Sequence, residues 1–128
     1  MRLLLDTPLL LWAALEPTRL SEAVRRALAD VANVRLVSTV IAWEIAQQVR
    51  LARLDLGCSV AEFLSQQEDA LWLTLLPLTV AHAVLVADLP LLHRDPADRL
   101  LVAQARAESL TLVTADDNIR QYDVKTLW

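Results

Sequence analysis

What most limits the folds open to this chain is a series of short, unbroken apolar runs: "RLLLD", "VRLVS", "WLTLLP", "LTLVT" and "VKTLW". A strand with one wet face alternates apolar and polar residues, whereas a strand covered on both faces is apolar throughout. The runs are therefore strands buried on both sides. The segments between them carry helix signals. "TPLLLWAAL" opens on Thr7 as cap and Pro8 at the first helical position, and Ser21 caps "EAVRRALAD". "TVIAWEIAQQVRLARL" reads as a longer helix, Ser59 caps "VAEFLSQQEDAL", and "TVAHAVLVADL" begins near Thr79. "DPADRLLVAQARAES" opens on Asp95–Pro96, and "DDNIRQY" is a short helical turn. Buried strands alternating with helices predict an α/β fold. Its centre is a mainly parallel sheet of 4–5 short strands flanked by helices, a three-layer α/β/α domain.

A length of 128 residues fits a single domain spanning 1–128. Gly57 is the only glycine, which argues against disorder and against a glycine-turned β-sandwich. The chain is 55% hydrophobic, with a mean hydropathy of +0.38. That exceeds what one small core needs and implies a face covered by a partner or a second copy. Asp6 and Pro8 interrupt the would-be signal segment at the start, and Pro77, two threonines and His82 argue against a membrane span at 70–87. Cys58 is alone, which excludes an internal disulfide and a cysteine zinc site. The expectation is a cytoplasmic protein with no membrane contact. The net charge of −4 is unusual for a nucleic-acid binder. With four carboxylates assigned to cations, however, 12 acids remain against 12 bases, so a phosphate-rich substrate stays open.

In a parallel sheet the ligand edge is where strands end and helices begin. Asp6 closes the first strand, Glu44 lies in the second turn of the helix after "VRLVS", Asp98 opens the helix before "LTLVT", and Asp116 follows that strand. Each has a plainer reading. Asp6 and Asp116 can cap the helices they precede, Asp95 before Pro96 reads as a cap, Asp98 suits the helix dipole, and Asp117 reads as a solvated first-turn acid. Glu44 sits among Val40, Ile41, Gln48 and Leu51 on the helical wheel and carries a desolvation cost unless a cation or donor meets it. Carboxylates without histidine or cysteine companions suit Mg²⁺ or Mn²⁺, and such sites are typical of phosphoryl chemistry. His82 and His93 read as solvated or hydrogen-bonded, and Ser38 and Thr114 end strands at the same edge.

These pieces resemble PIN-domain ribonucleases, and most closely the VapC toxins of type II toxin–antitoxin pairs. The matching segments are "LLLDTPLLLW", "VSTVIAWEIAQQVRLARLDL", "LPLTVAHAVLVADLPLLHRDPADRLLVAQARAESLTLVTADDNI" and "VKTLW", in order over most of the chain. "HRDPADRLLVAQA" followed by "LTLVTAD" is the most specific. The resemblance implies a PIN-like fold and places the family's acidic constellation on Asp6, Glu44, Asp98 and Asp116, as catalytic and metal residues. It further implies Mg²⁺- or Mn²⁺-dependent endonucleolytic cleavage of RNA, neutralisation by a small cognate antitoxin, and a homodimer.

Four positions depart from the family pattern. Pro8 replaces His or another polar residue, Ile41 a usual Ser, Gln48 a frequent Lys, and Ala52 a frequent Gly. The acids are intact, so the expected effect is on RNA choice or the level of activity. Arg50, Arg53, Arg94, Arg99 and Arg120 are candidates for phosphate contacts. Two other readings compete: a PIN-like module, inactive or weakly active, that mainly dimerises and binds an antitoxin-like partner, and a metal-dependent phosphohydrolase of small phosphate esters. The absence of a glycine-rich phosphate loop counts against P-loop nucleotide binding.

Overall fold

A computed structural model describes residues 1–128. Five parallel strands form the central sheet: β1 (Arg2–Leu5), β2 (Val34–Ser38), β3 (Leu73–Leu76), β4 (Thr111–Val113) and β5 (Thr126–Leu127). They lie in the order β3-β2-β1-β4-β5. Seven helices flank the sheet: α1 (Thr7–Leu15), α2 (Glu22–Ala29), α3 (Thr39–Arg50), α4 (Val60–Leu71), α5 (Val80–Leu85), α6 (Pro96–Ala107) and α7 (Asp117–Arg120). This is the α/β/α arrangement expected from the unbroken apolar strands. No helix is long and apolar enough to cross a membrane.

The alternation of side chains along each strand sorts the core into two layers. Leu4 is in register with Leu36 and Leu112, and all three belong to the larger cluster, with Ile41, Ile45, Phe63, Leu101 and Val102. Leu3 and Val113 belong to the smaller cluster, with Leu9, Leu20, Val24 and Ala27 from α1, α2 and the turn between them. Leu3, Leu4 and Leu5 are all fully buried, which is why the first run shows no polar alternation. Burial of each such side chain contributes about 2 kcal/mol.

From β1 the chain steps to β2 and β3, then returns through α5 and α6 to β4 on the other side of β1. The reversal leaves a crevice at the carboxyl ends of β1 and β4, where α/β sheets bind ligands.

Three helix boundaries differ from expectation; the helix expected over "TVAHAVLVADL" ends at Leu85 and continues as a 3-10 turn over Val86–Asp88. The cap of α1 is Asp6, not Thr7: Asp6 Oδ1 accepts from the Leu9 amide at 2.9 Å, and Thr7 begins the helix. The helix expected through Leu54 stops at Arg50. Arg53 N donates to Gln48 O at 2.9 Å and Ala52 N to Val49 O at 3.1 Å, the paired bonds of a left-handed helix stop. Ala52 occupies the left-handed position, with φ +56°. A Cβ there costs on the order of 1 kcal/mol, and the extra entropy that glycine loses on folding recovers only part of the gain from removing it. Ala52→Gly is therefore expected to stabilise the protein by roughly 0.5 kcal/mol, read as a rise of about 2 °C in Tm.

Candidate functional site

The site is built by helix starts. Backbone N–H groups at a helix N-terminus need acceptors, and carboxylates supply them. Asp6 caps α1, Asp95 caps α6 by accepting from Asp98 N at 3.1 Å, and Asp116 caps α7 by accepting from Asn118 N at 2.8 Å. A carboxylate has two oxygens, so capping spends one and leaves one free. The capping reading and the site reading are compatible in this fold.

Around these caps the acids converge. Asp6, only 1% exposed, is electrostatically coupled to Asp98 and Asp116. Asp98 in turn feels the charges of Asp95, Glu44 and Asp116. Glu44, Asp95 and Asp98 offer ligand oxygens within 4.8 Å of one another. The structure thus brings together the four acids singled out in the sequence and adds Asp95, read there only as a cap. The signal for Asp95 was present: Asp95 and Asp98 are three apart, a spacing that puts both carboxylates on one side of a helix start. Asp117 faces solvent, with its side chain 96% exposed and paired loosely with Arg120.

Burial dominates the electrostatics. Asp6 is raised from 3.8 to about 7, first by desolvation and then by Asp98 and Asp116, against the Thr114 hydroxyl and the Leu9 amide. Asp98 is raised to about 6 by desolvation and Asp95, opposed by a hydrogen bond from His93. Glu44 is also raised, chiefly by desolvation. The Thr7 hydroxyl approaches Glu44 closely enough to oppose that shift, yet it is buried without a well-formed hydrogen bond. An all-carboxylate donor set with raised pKa values and a buried unpartnered hydroxyl beside it fits a hard divalent cation.

The metal-free protein carries a stability penalty here with a definite sign. Asp6 binds its proton more tightly folded than unfolded, so the folded state is favoured at low pH. The advantage is lost as pH rises from about 4 to about 7. A shift of this size corresponds to about 4 kcal/mol at the upper limit. Thermal melts in EDTA are expected to show Tm falling between pH 5 and pH 7.5. Mg²⁺ or Mn²⁺ is expected to raise Tm more at pH 7.5 than at pH 5.

Two hollows flank the cluster. One, of about 360 Å³, is lined by Trp43, Glu44, Gln48, Arg53 and Asp95 among others. The second, of about 170 Å³, is lined by Asp6, Pro8, Trp12 and Asp116 among others. Gln48 and Pro8 therefore border the acids, whereas Ile41 is fully buried in the larger core and bears on packing, not on the groove. Arg50, Arg53, Arg94 and Arg120 are exposed. Arg99 is not available for phosphate: it is 7% exposed, and its guanidinium donates to Pro90 O and the Tyr122 hydroxyl at 2.8 and 2.9 Å. The sequence places Arg99 next to Asp98, but one helical step of about 100° turns it into the core.

An α/β/α sheet with acids gathered at the carboxyl edge of β1 and β4 suits a metal-dependent enzyme, and the chain belongs to the PIN-domain family, whose model matches residues 3–125. Within that class it is similar to ribonuclease VapC22 of Mycobacterium tuberculosis (strain ATCC 25618 / H37Rv). The two are 33% identical over 121 residues, covering 93% of this chain and 90% of that protein. Solved structures with the same fold include VapBC2 from Rickettsia felis, bound to a DNA fragment from its promoter. Its TM-score is 0.73 at 18% identity, over 99% of this chain and 98% of that one. DNA-bound VapBC from Salmonella typhimurium matches with a TM-score of 0.68 at 14% identity, over 99% and 97% of the two chains.

Proposed function

We propose that this chain is an Mg²⁺- or Mn²⁺-dependent endoribonuclease acting in the cytoplasm as the toxin of a type II toxin–antitoxin pair. The observation that carries the reading is the convergence of one buried acid, Asp6, and the half-buried Glu44, Asp98 and Asp116 from separate elements, at a mutual repulsion that a divalent cation relieves. The naming of the related VapC22 as a ribonuclease supports the choice of substrate class. Asp6, Glu44, Asp98 and Asp116 would hold the ion, with Asp95 at the rim. When bound, the cation lowers the pKa of a water and offsets the charge on the phosphate being cleaved.

The chain's own residues set the stage for that step. Thr114 accepts from the Asp116 amide at 3.0 Å and lies beside Asp6, tying the end of β4 to the end of β1. Arg53, on the wall of the larger hollow with Glu44 and Asp95, can engage a substrate phosphate with paired N–H donors. The exposed side chains of Trp72, Leu75, Val80, Val84 and Leu91 supply the apolar surface that a small antitoxin and a second copy of the chain would cover. The two solved VapBC structures are toxin–antitoxin assemblies and support an antitoxin as a partner.

The test is an incubation of purified, partner-free protein with single-stranded and structured RNAs, in Mg²⁺ or Mn²⁺ and in EDTA. Cleavage is expected only with the ion, and RNA binding is expected to weaken steadily as salt rises. Equal RNA decay in EDTA, or none in any condition, removes the nuclease reading. If protein that cleaves nothing still captures the product of the adjacent reading frame, it is a binding module.

A further inference from the structure

We infer that His93 is the positioning residue of Asp98, held in one orientation by a hydrogen-bond chain that runs from the buried Arg99 guanidinium through Tyr122. The inference rests on the metal-site reading above and extends it to residues outside the acidic set.

With a neutral imidazole the chain has a single self-consistent direction. Arg99 can only donate, so at 2.9 Å the Tyr122 oxygen accepts from it. Tyr122 is 4% exposed, and its hydroxyl lies 2.7 Å from His93 Nδ1. The phenol's one proton then goes to Nδ1, which must be unprotonated to receive it. A neutral imidazole with a bare Nδ1 carries its proton on Nε2. Nε2 lies 3.2 Å from Asp98 Oδ2, to which it donates. The opposite tautomer would set a nitrogen lone pair against an ionised carboxylate and leave the Tyr122 proton without an acceptor.

The frame around this chain is rigid. Arg99 also donates to Pro90 O at 2.8 Å and reaches the Val86 and Leu89 carbonyls at 3.4 Å, so it fastens the segment that leads into His93. The His93 and Tyr122 rings meet nearly edge to face at 5.4 Å between centroids. His93 Nε2 is committed to Asp98 and is not free to ligate. No protein hydrogen bond engages Asp98 Oδ1, so the anchored carboxylate offers that oxygen to the cluster. A ligand held by a neighbouring donor binds its cation more tightly than one free to rotate, typically by about 10- to 100-fold.

The experiment has two readouts, neither of which is RNA cleavage. Long-range ¹H–¹⁵N spectra of the metal-free protein are expected to show His93 as the Nε2–H tautomer, with its signals assigned by their absence in His93→Gln. Calorimetric titration with Mn²⁺ at one fixed pH then compares wild type, Tyr122→Phe, His93→Ala and His93→Gln, each checked for cooperative unfolding. Tyr122→Phe and His93→Ala are expected to lose about 10- to 100-fold in Mn²⁺ affinity. His93→Gln, which keeps an N–H donor, is expected to fall between His93→Ala and wild type. If Tyr122→Phe does not fold, the Ala and Gln variants at His93 make the same comparison. An Nδ1–H tautomer in the wild type, or wild-type affinity in His93→Ala, overturns the inference while leaving the metal site standing. Failure of the wild type to bind Mn²⁺ overturns the metal-site reading and this inference with it.

Discussion

Asp98→Asn is expected to abolish RNA cleavage, by at least about 10³-fold, and at the same time to stabilise the metal-free protein at pH 8. Asn keeps the side chain's size and one oxygen but cannot carry the charge that would hold a cation. The loss of a residue on which the acceleration depends commonly costs several powers of ten in rate. The gain in stability comes from the same change. Asp98 is raised to about 6 by its burial and by Asp95, so at pH 8 the metal-free protein holds a carboxylate its surroundings disfavour. Asn removes that repulsion. Urea unfolding in EDTA is expected to give a higher midpoint for the variant at pH 8 and a smaller difference at pH 5, where Asp98 is itself largely protonated. A variant that is inactive and also less stable at pH 8 would point to a structural role for Asp98. The opposite signs of the two effects mark a group retained for function at a cost to folding.

The second large effect is expected at Arg99, and it is on stability. Arg99→Ala leaves the buried Leu89 carbonyl and the Tyr122 hydroxyl without their guanidinium donor, while the Pro90 carbonyl keeps only the Leu92 amide. Each buried acceptor left unsatisfied costs about 1–3 kcal/mol, so a loss on the order of 3–5 kcal/mol is expected. For a domain of this size that is a fall of roughly 10–15 °C in Tm. Arg53→Ala is the contrast. Arg53 is exposed beside Glu44 and Asp95, so the expected result is an unchanged Tm and weaker RNA binding with a shallower salt dependence. Equal Tm for the two variants would show that Arg99 does not brace the segment between Val86 and Asp95.

The legible part of the fold was local. Unbroken apolar runs marked the strands, covered on both faces at β1, β2 and β4, whereas the edge strand β3 leaves Thr74 and Leu75 exposed where burial was expected. Ser21, Ser59 and Asp95 marked helix starts, because a side-chain acceptor there answers a need of the backbone that holds in any fold. The stop of α3 was harder to see, since the left-handed position holds Ala52 in a chain with a single glycine and the usual signal is missing. Asp6, Asp98 and Asp116 were findable because each stands where a strand ends or a helix begins, and Glu44 because it is an acid among apolar neighbours on its helix. His93 and Tyr122 were not. They are 29 residues apart, and nothing in the spacing shows that α7 and the turn after it bring the phenol to the imidazole.

The sequence by itself determined the element order, the parallel sheet and the edge on which Asp6, Glu44, Asp98 and Asp116 must fall. These follow from periodicity and capping, which are properties of neighbours along the chain. Tertiary structure alone decided that Asp6 is buried, that Asp95 stands with Glu44 and Asp98, and that Arg99 braces the core instead of meeting phosphate. Those outcomes depend on desolvation and on pairings between distant segments, and neither exists until the sheet and its two helix layers have closed on one another.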